Sequence, residues 1–247
     1  MTLDQIIHAL KKKKWVDLTH PVTSASPVFS AFSNMRSKTL FTVEQHGFYA
    51  QEITFTTPTG THIDAPGHFV ADKRCLDGVD SKELLLPLLV IHKEAEVARD
   101  ADYRLSVGDI AQFERQYGAI PAGSFVAFAS DWCRRWPDAD AFANRDAQGD
   151  SHTPGWSLEA LRFLFEQRGV SAIGHETLDT DAGVDFRRNN GLDGEYYVLN
   201  RNACQVEVLN NLSLLPATGA WIHVSWPNFA AMPSFPARVT AWLPEDE

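Results

Sequence analysis

Cysteine is scarce in this chain. Cys75, Cys133 and Cys204 are odd in number, far apart and form no Cys-x-x-Cys pair, which argues against a disulfide framework and points to free thiols in a reducing compartment. Basic residues are also short, with 22 Lys and Arg against 32 Asp and Glu and a formal net charge of -10. Binding to nucleic-acid backbones depends on Lys and Arg neutralising phosphates, so no nucleic-acid partner is expected. The one basic run, Lys11 to Lys14, ends a predicted helix, where cations complement the helix dipole on a solvated face. No apolar run approaches the length of a membrane span, and Met1 to Gln5 lacks the basic-then-apolar pattern of a signal peptide. No membrane partner is expected, and the protein is expected to be cytoplasmic. A Gly-x-Ser-x-Gly elbow and a glycine-rich phosphate loop are both missing, so neither serine-hydrolase nor nucleotide-dependent chemistry has support.

What is present suits a globular protein. Apolar residues make up 44% and charged residues 22% of 247, enough to bury a substantial core. No repeat or linker divides the sequence, so residues 1–247 read as one domain. Thr2 and Gln5 predict a capping box for a first helix with Ile6, Ile7 and Leu10 on one face. Trp15 to Thr19 reads as a short strand, followed by a Ser- and Pro-rich loop from His20 to Ser37. Thr39 to Val43 and Tyr49 to Thr57 read as a hairpin about Gly47. Leu84 to His92, Ser124 to Ala129 and Val170 to Gly174 read as buried strands, and Ser106 to Tyr117 and Ser157 to Arg168 as helices closed by Gly118 and Gly169. The segment from His175 to Gly194 reads as an acidic loop leading to a short helix that ends by Asn202. Cys204 to Leu209 alternates, with Gln205 and Glu207 on one face and Val206 and Val208 on the other. The last strands are Ala220 to Trp226 and Ala237 to Leu243. The pattern is a mixed α/β domain with several antiparallel pairings.

One stretch stands apart, Gly60-Thr61-His62-Ile63-Asp64-Ala65-Pro66-Gly67-His68-Phe69. If Thr61 to Asp64 is extended, His62 and Asp64 share a face while Ile63 turns into the core. Pro66 and Gly67 then turn the chain and bring His68 back. Imidazole nitrogen and carboxylate oxygen suit Zn2+, Mn2+ or Fe2+, and a nearby third histidine serves either as a ligand or as a base.

This stretch resembles the signature of the metal-dependent cyclase family, which includes bacterial kynurenine formamidase and isatin hydrolase. Asp17-Leu18-Thr19, Val206 to Leu212 and Phe235 to Val239 agree in order. The resemblance implies an α/β single mixed-sheet domain with a β-barrel-like core flanked by helices, assembled as a homodimer or higher homo-oligomer. It implies hydrolysis of a C–N (amide) bond in a small cyclic amide or arylformamide with Mn2+ or Zn2+. His62 and Asp64 match family metal ligands, His68 the histidine associated with acid–base catalysis, and Glu207 the late glutamate near the metal. In kynurenine formamidase-like members a histidine stands where this chain has Pro58, and another where it has Glu195. One ion rather than two is therefore expected, with Gln205, on the same face as Glu207, as an additional oxygen ligand. Lactone or ester hydrolysis at the same ion, and metal or small-ligand binding without turnover, are the competing readings.

Other residues carry weaker signals. His175 and Glu176 read either as site-lining or as structural, and Asp179 and Asp181 as solvated or loop-capping carboxylates. Phe29, Phe32, Trp132 and Trp156 are candidates for an aromatic pocket wall, with at least two of them core. His223 reads as core or interface, and Arg238 as the partner of an internal salt bridge.

Overall fold

The computed structural model describes residues 1–244; the last three residues of the expected domain lie outside the described residues. Thirteen strands form in chain order: β1 Trp15–Asp17, β2 Arg36–Phe41, β3 Ala50–Thr54, β4 His62–Asp64, β5 Leu85–His92, β6 Arg104–Leu105, β7 Phe125–Ala129, β8 Gly155–Trp156, β9 Ala172–His175, β10 Cys204–Glu207, β11 Ala220–Ser225, β12 Ser234–Pro236 and β13 Arg238–Trp242. Nine of them make one sheet in the order β1-β13-β11-β5-β7-β9-β10-β4-β12. The run from β5 through β7 and β9 to β10 is parallel, and the other neighbours are antiparallel. The helix between β7 and β9, Leu158–Arg162 with a π-helical continuation through Arg168, supplies the crossover that parallel pairing requires.

The sheet curls until its two edges share a chain segment. β12 pairs with β4 at one edge and β13 with β1 at the other, and only Ala237 separates β12 from β13. The Ala237 N–H donates to Thr61 O at 2.9 Å, and the Leu18 N–H to Val239 O at 2.9 Å. The result is the expected barrel-like core, a nine-stranded half-barrel. Alternation along each strand fills both faces. Val90, Phe125, Ala127, Ile63 and Val206 point inward to one apolar cluster, while Leu89, Ile91, Val126, Phe128 and Ile173 meet the helices outside. Trp132 and Trp156 belong to that outer core, each 1% exposed, so neither lines an open pocket.

Two expectations are revised, and one helix stands clear of the core. The first helix, Leu3–Lys12, has its Thr2/Gln5 capping box, but it buries none of its residues. Its apolar face, with Ile6 and Ile7, stays in solvent. The segment between His175 and Gly194 contains a helix, Gly183–Asn189, that has no apolar periodicity to announce it. The strand through Val208 stops at Glu207 because Val208 has a φ of 54°, a left-handed conformation that a β-branched residue adopts only under constraint. That constraint is visible: the Val208 N–H donates to Thr177 O at 3.1 Å, and the Thr61 hydroxyl donates to Val208 O at 2.6 Å. Among the described residues no helix is long and apolar enough to cross a membrane.

Candidate metal centre

The short strand β4 lies between β10 and β12. Its register sets His62 opposite Glu207 and Asp64 opposite Gln205. Since Ile63 and Val206 face the inner core, these four polar side chains share the other face, and none is more than 3% exposed. Burying polar groups is costly unless they find partners, so their contacts define what the site can do.

His62 Nδ1 donates to Gly60 O at 2.8 Å, which fixes the ring and aims Nε2 at the carboxylates. Gly60 has a φ of 66°, and a Cβ there would lie 2.4 Å from Val22 Cγ2, so the turn that sets up this bond demands glycine. His62 Nε2 stands 3.2 Å from Glu207 Oε2 and 3.6 Å from Asp64 Oδ2. Burial alone would lower the His62 pKa, but Asp64 and Glu207 outweigh it and hold the imidazole up at about 9. Glu207 shows the reverse: burial pushes its carboxyl up, and His175 and His62 draw it down to about 2. One ligand atom from each of His62, Asp64 and Glu207 falls within 4.8 Å of the other two. A second group, Asp64, His68 and Glu195, meets the same spacing.

His68 is the last residue of the turn Pro66–His68 and keeps 22% of its side chain exposed, with Nε2 3.8 Å from Asp64 Oδ1. It borders a cleft of about 170 Å3 with Phe29, Phe32, Pro58, His62 and Glu195. The two phenylalanines do form an aromatic wall, their rings 5.3 Å apart. Gln205, expected as an additional oxygen ligand, has its amide engaged on both sides. Its amide nitrogen donates to Asp64 Oδ2 at 3.2 Å and Glu207 Oε1 at 3.0 Å, while its oxygen accepts from the Thr180 hydroxyl at 2.9 Å. With carboxylates on one side and a hydroxyl on the other, the amide turns its donor toward the negative charge.

Three residues enter from segments that gave little sequence signal. His175 shares a face with Ile173 on β9, and its Nε2 lies 3.3 Å from Glu207 Oε1. Its neighbour Glu176 points away and accepts from the Ser130 and Trp132 N–H groups at 2.9 and 3.1 Å, a structural latch. Glu195, on the helix Asp193–Asn200, is 3% exposed and is pushed well above the usual carboxylate range by burial and by Glu207, Asp64, Asp179 and Asp181. Asp181 caps that helix from a distance, accepting the Gly194 and Glu195 N–H groups at 2.8 and 3.0 Å. Its loop-capping reading matches this geometry. Asp179 differs from expectation: although it keeps some solvent contact, burial and the neighbouring Glu207 and Asp181 push its pKa up to about 7. The one hint of Glu195 in the sequence is its position, twelve residues before Glu207.

Arg238 makes its expected salt bridge, with Asp17 at 2.6 Å, at the surface. His223 is half-buried and stacks on Trp242 with ring centroids 6.2 Å apart, remote from this cluster.

A family model described as "Putative cyclase" matches residues 16–182, and the chain belongs to this family. Among its relatives, an isatin hydrolase from Roseibium aggregatum is 32% identical over 195 residues, which cover 76% of this chain and 72% of the relative. Isatin hydrolase A from Labrenzia aggregata, solved bound to benzyl benzoate, has a TM-score of 0.92 at 28% identity and covers 99% of this chain and 100% of its own. A structure described as a potential metal-dependent hydrolase with cyclase activity shares the fold with a TM-score of 0.71 at 20% identity, covering 94% of this chain and 99% of its own.

Proposed function

We propose that this protein is a metal-dependent hydrolase that opens the C–N bond of a small cyclic amide or arylformamide. The observation that carries the reading is the β4–β10 register, which gathers His62, Asp64 and Glu207 in a buried cluster beside the cleft. The donor set fits a divalent cation. Asp64 Oδ1 is buried without a hydrogen-bond partner, and Asp179 and Glu195 both have raised pKa values. A cation relieves both conditions. Nitrogen with carboxylate oxygen suits Mn2+ or Zn2+. When bound, such an ion supplies Lewis acidity, polarising a carbonyl and making water more acidic.

His62, Asp64 and Glu207 hold the ion in this reading. Gln205 joins them if its amide turns over, which Thr180 permits because a hydroxyl donates to the amide oxygen or accepts from the amide nitrogen equally well. His68 stands at the cleft, exposed enough to exchange protons, and takes one from the attacking water before returning it to the departing nitrogen. Phe29 and Phe32 wall the cleft and suit a flat aromatic ring. Lactone or ester cleavage would use the same groups, with only the leaving atom changed.

The homodimer is proposed on the β2–β3 hairpin. Both strands are exposed almost throughout, and Leu40, Phe41, Phe48, Tyr49 and Ile53 lie on the surface. A lone two-stranded hairpin is marginal in water. Sedimentation should give about twice the 27.5 kDa chain mass; a monomer at all concentrations would contradict it.

The function is tested by loading the protein with Mn2+ or Zn2+ and assaying isatin, N-formylkynurenine and simple lactones. Metal-dependent cleavage of one of the amides is expected. Bound metal with no turnover of any of them would favour the binding-only reading.

A further inference from the structure

We infer that the substrate cleft continues past the metal centre into an anion subsite at Arg145, so that the preferred substrate carries a carboxylate remote from the bond that breaks. This rests on the hydrolase reading above and narrows its substrate class. The cleft beside His68 shares the walls Phe29 and Leu178 with a second cavity of about 190 Å3. Arg145, Asp150, Asp179 and Arg187 contribute the charged lining of that second cavity.

The two arginines differ in what they already hold. Arg187 lies 3.7 Å from Asp102 and 4.0 Å from Asp150, and it donates to Ser151 O. Arg145 donates through Nη1 to Gly149 O at 2.7 Å and, among the described residues, makes no ion pair. Its Nε and Nη2 are left to meet a ligand, and guanidinium geometry matches a carboxylate better than any other side chain does.

The loop that carries Arg145 is preorganised. Asp146 Oδ1 accepts the Gln148 and Asp150 N–H groups, both at 2.9 Å, and the Asp146 N–H donates to Asp150 O at 2.9 Å. Arg145 is exposed, and this loop sets it at the rim of a cavity with aromatic walls, Phe29, Phe142 and Phe186. Arg145 also acts electrostatically on Asp179, the same carboxylate that Glu207 and His62 act on from the metal side. The two cavities adjoin through their shared walls, Phe29 and Leu178. A cyclic amide at the metal fills the inner cleft, and a substituent on its ring extends past Leu178 toward Arg145.

Steady-state kinetics of the metal-loaded enzyme on isatin and on ring-carboxylated isatins tests this, using wild type, Arg145→Gln and Arg145→Lys. At least one carboxylated isatin should show a KM about tenfold below that of isatin, and Arg145→Gln should abolish that advantage while kcat stays within about twofold. Arg145→Lys should retain part of it, and the KM for isatin itself should not move. Equal KM changes on neutral and anionic substrates, or none, would overturn the subsite. Calorimetric binding of the same compounds to the metal-loaded protein separates the two claims. Anion-selective binding lost in Arg145→Gln upholds the subsite even if no compound turns over, and equal binding of neutral and anionic rings refutes it.

Discussion

His62, Asp64 and His68 were legible because they lie within seven positions of one another, and period-two geometry is enough to put the first two on one face. Glu207 was pointed to by the family resemblance, its alternation with Val206 giving only its face, and the observed register sets it across from His62. His175, Asp179 and Glu195 were not legible in the same way. Each comes from a different element and meets the others only through sheet order or a helix cap, which no local pattern encodes. Gln205 shows how residue type underdetermines role, since one amide offers a donor and an acceptor and its neighbours choose between them. For the proposed proton carrier, His68→Ala should keep its metal and lower kcat by about 10^2–10^4, the usual worth of a general acid–base group. Steady-state kinetics beside metal analysis reads both, and unchanged kcat would remove His68 from the mechanism.

Among the elements, the two capping boxes and the central strands follow the sequence closely. Thr2 caps its helix as predicted, Ser106 caps the helix that Gly118 closes, and Gly169 ends its helix at a φ of 66°. The Gly183–Asn189 helix and the three-residue β12 were missed because neither has the length or apolar spacing that marks an element. Close packing between strands is equally hidden. Gly174 on β9 has room for no side chain: an added Cβ would lie 2.7 Å from Phe125 Cζ and 2.9 Å from Val206 O. Gly174→Ala should therefore destabilise the fold by about 1–3 kcal/mol, the usual cost of overpacking. Urea denaturation of the metal-free protein measures it, and wild-type stability in the variant would show that the sheet yields there. Because Gly174 adjoins His175, the same variant should also weaken metal binding if β9 shifts.

At the scale of the whole molecule, the half-barrel is a device for concentrating acids. A chain with a formal charge of -10 brings Asp64, Asp179, Asp181 and Glu207 close enough to raise the pKa of Glu195. Asp179 rises from 3.8 to about 7 in the folded protein, so its neutral form is favoured by folding. Its contribution is fully present below about pH 4 and is lost as pH rises through 7. Glu195 shifts in the same direction. His62, raised to about 9, contributes stability at low pH that is lost as pH rises through that value. Glu207, lowered to about 2, acts oppositely, but its stabilisation is already complete above its ordinary value of 4.5. The metal-free fold should therefore lose support from this site between pH 5 and pH 8, while a bound cation replaces the protons. The rise in Tm on adding Mn2+ should be larger at pH 8 than at pH 5 by thermal denaturation. A rise that shrinks toward pH 8 would contradict this account of the cluster.

In the proposed enzyme β4 and β10 together hold a cation. Metal content of purified His62→Ala, Asp64→Ala, Glu207→Ala and His68→Ala, each confirmed as folded by circular dichroism, tests it most directly. About one ion per chain is expected in wild type and in His68→Ala, and its loss in the other three. Full metal retention by His62→Ala and Asp64→Ala would contradict it.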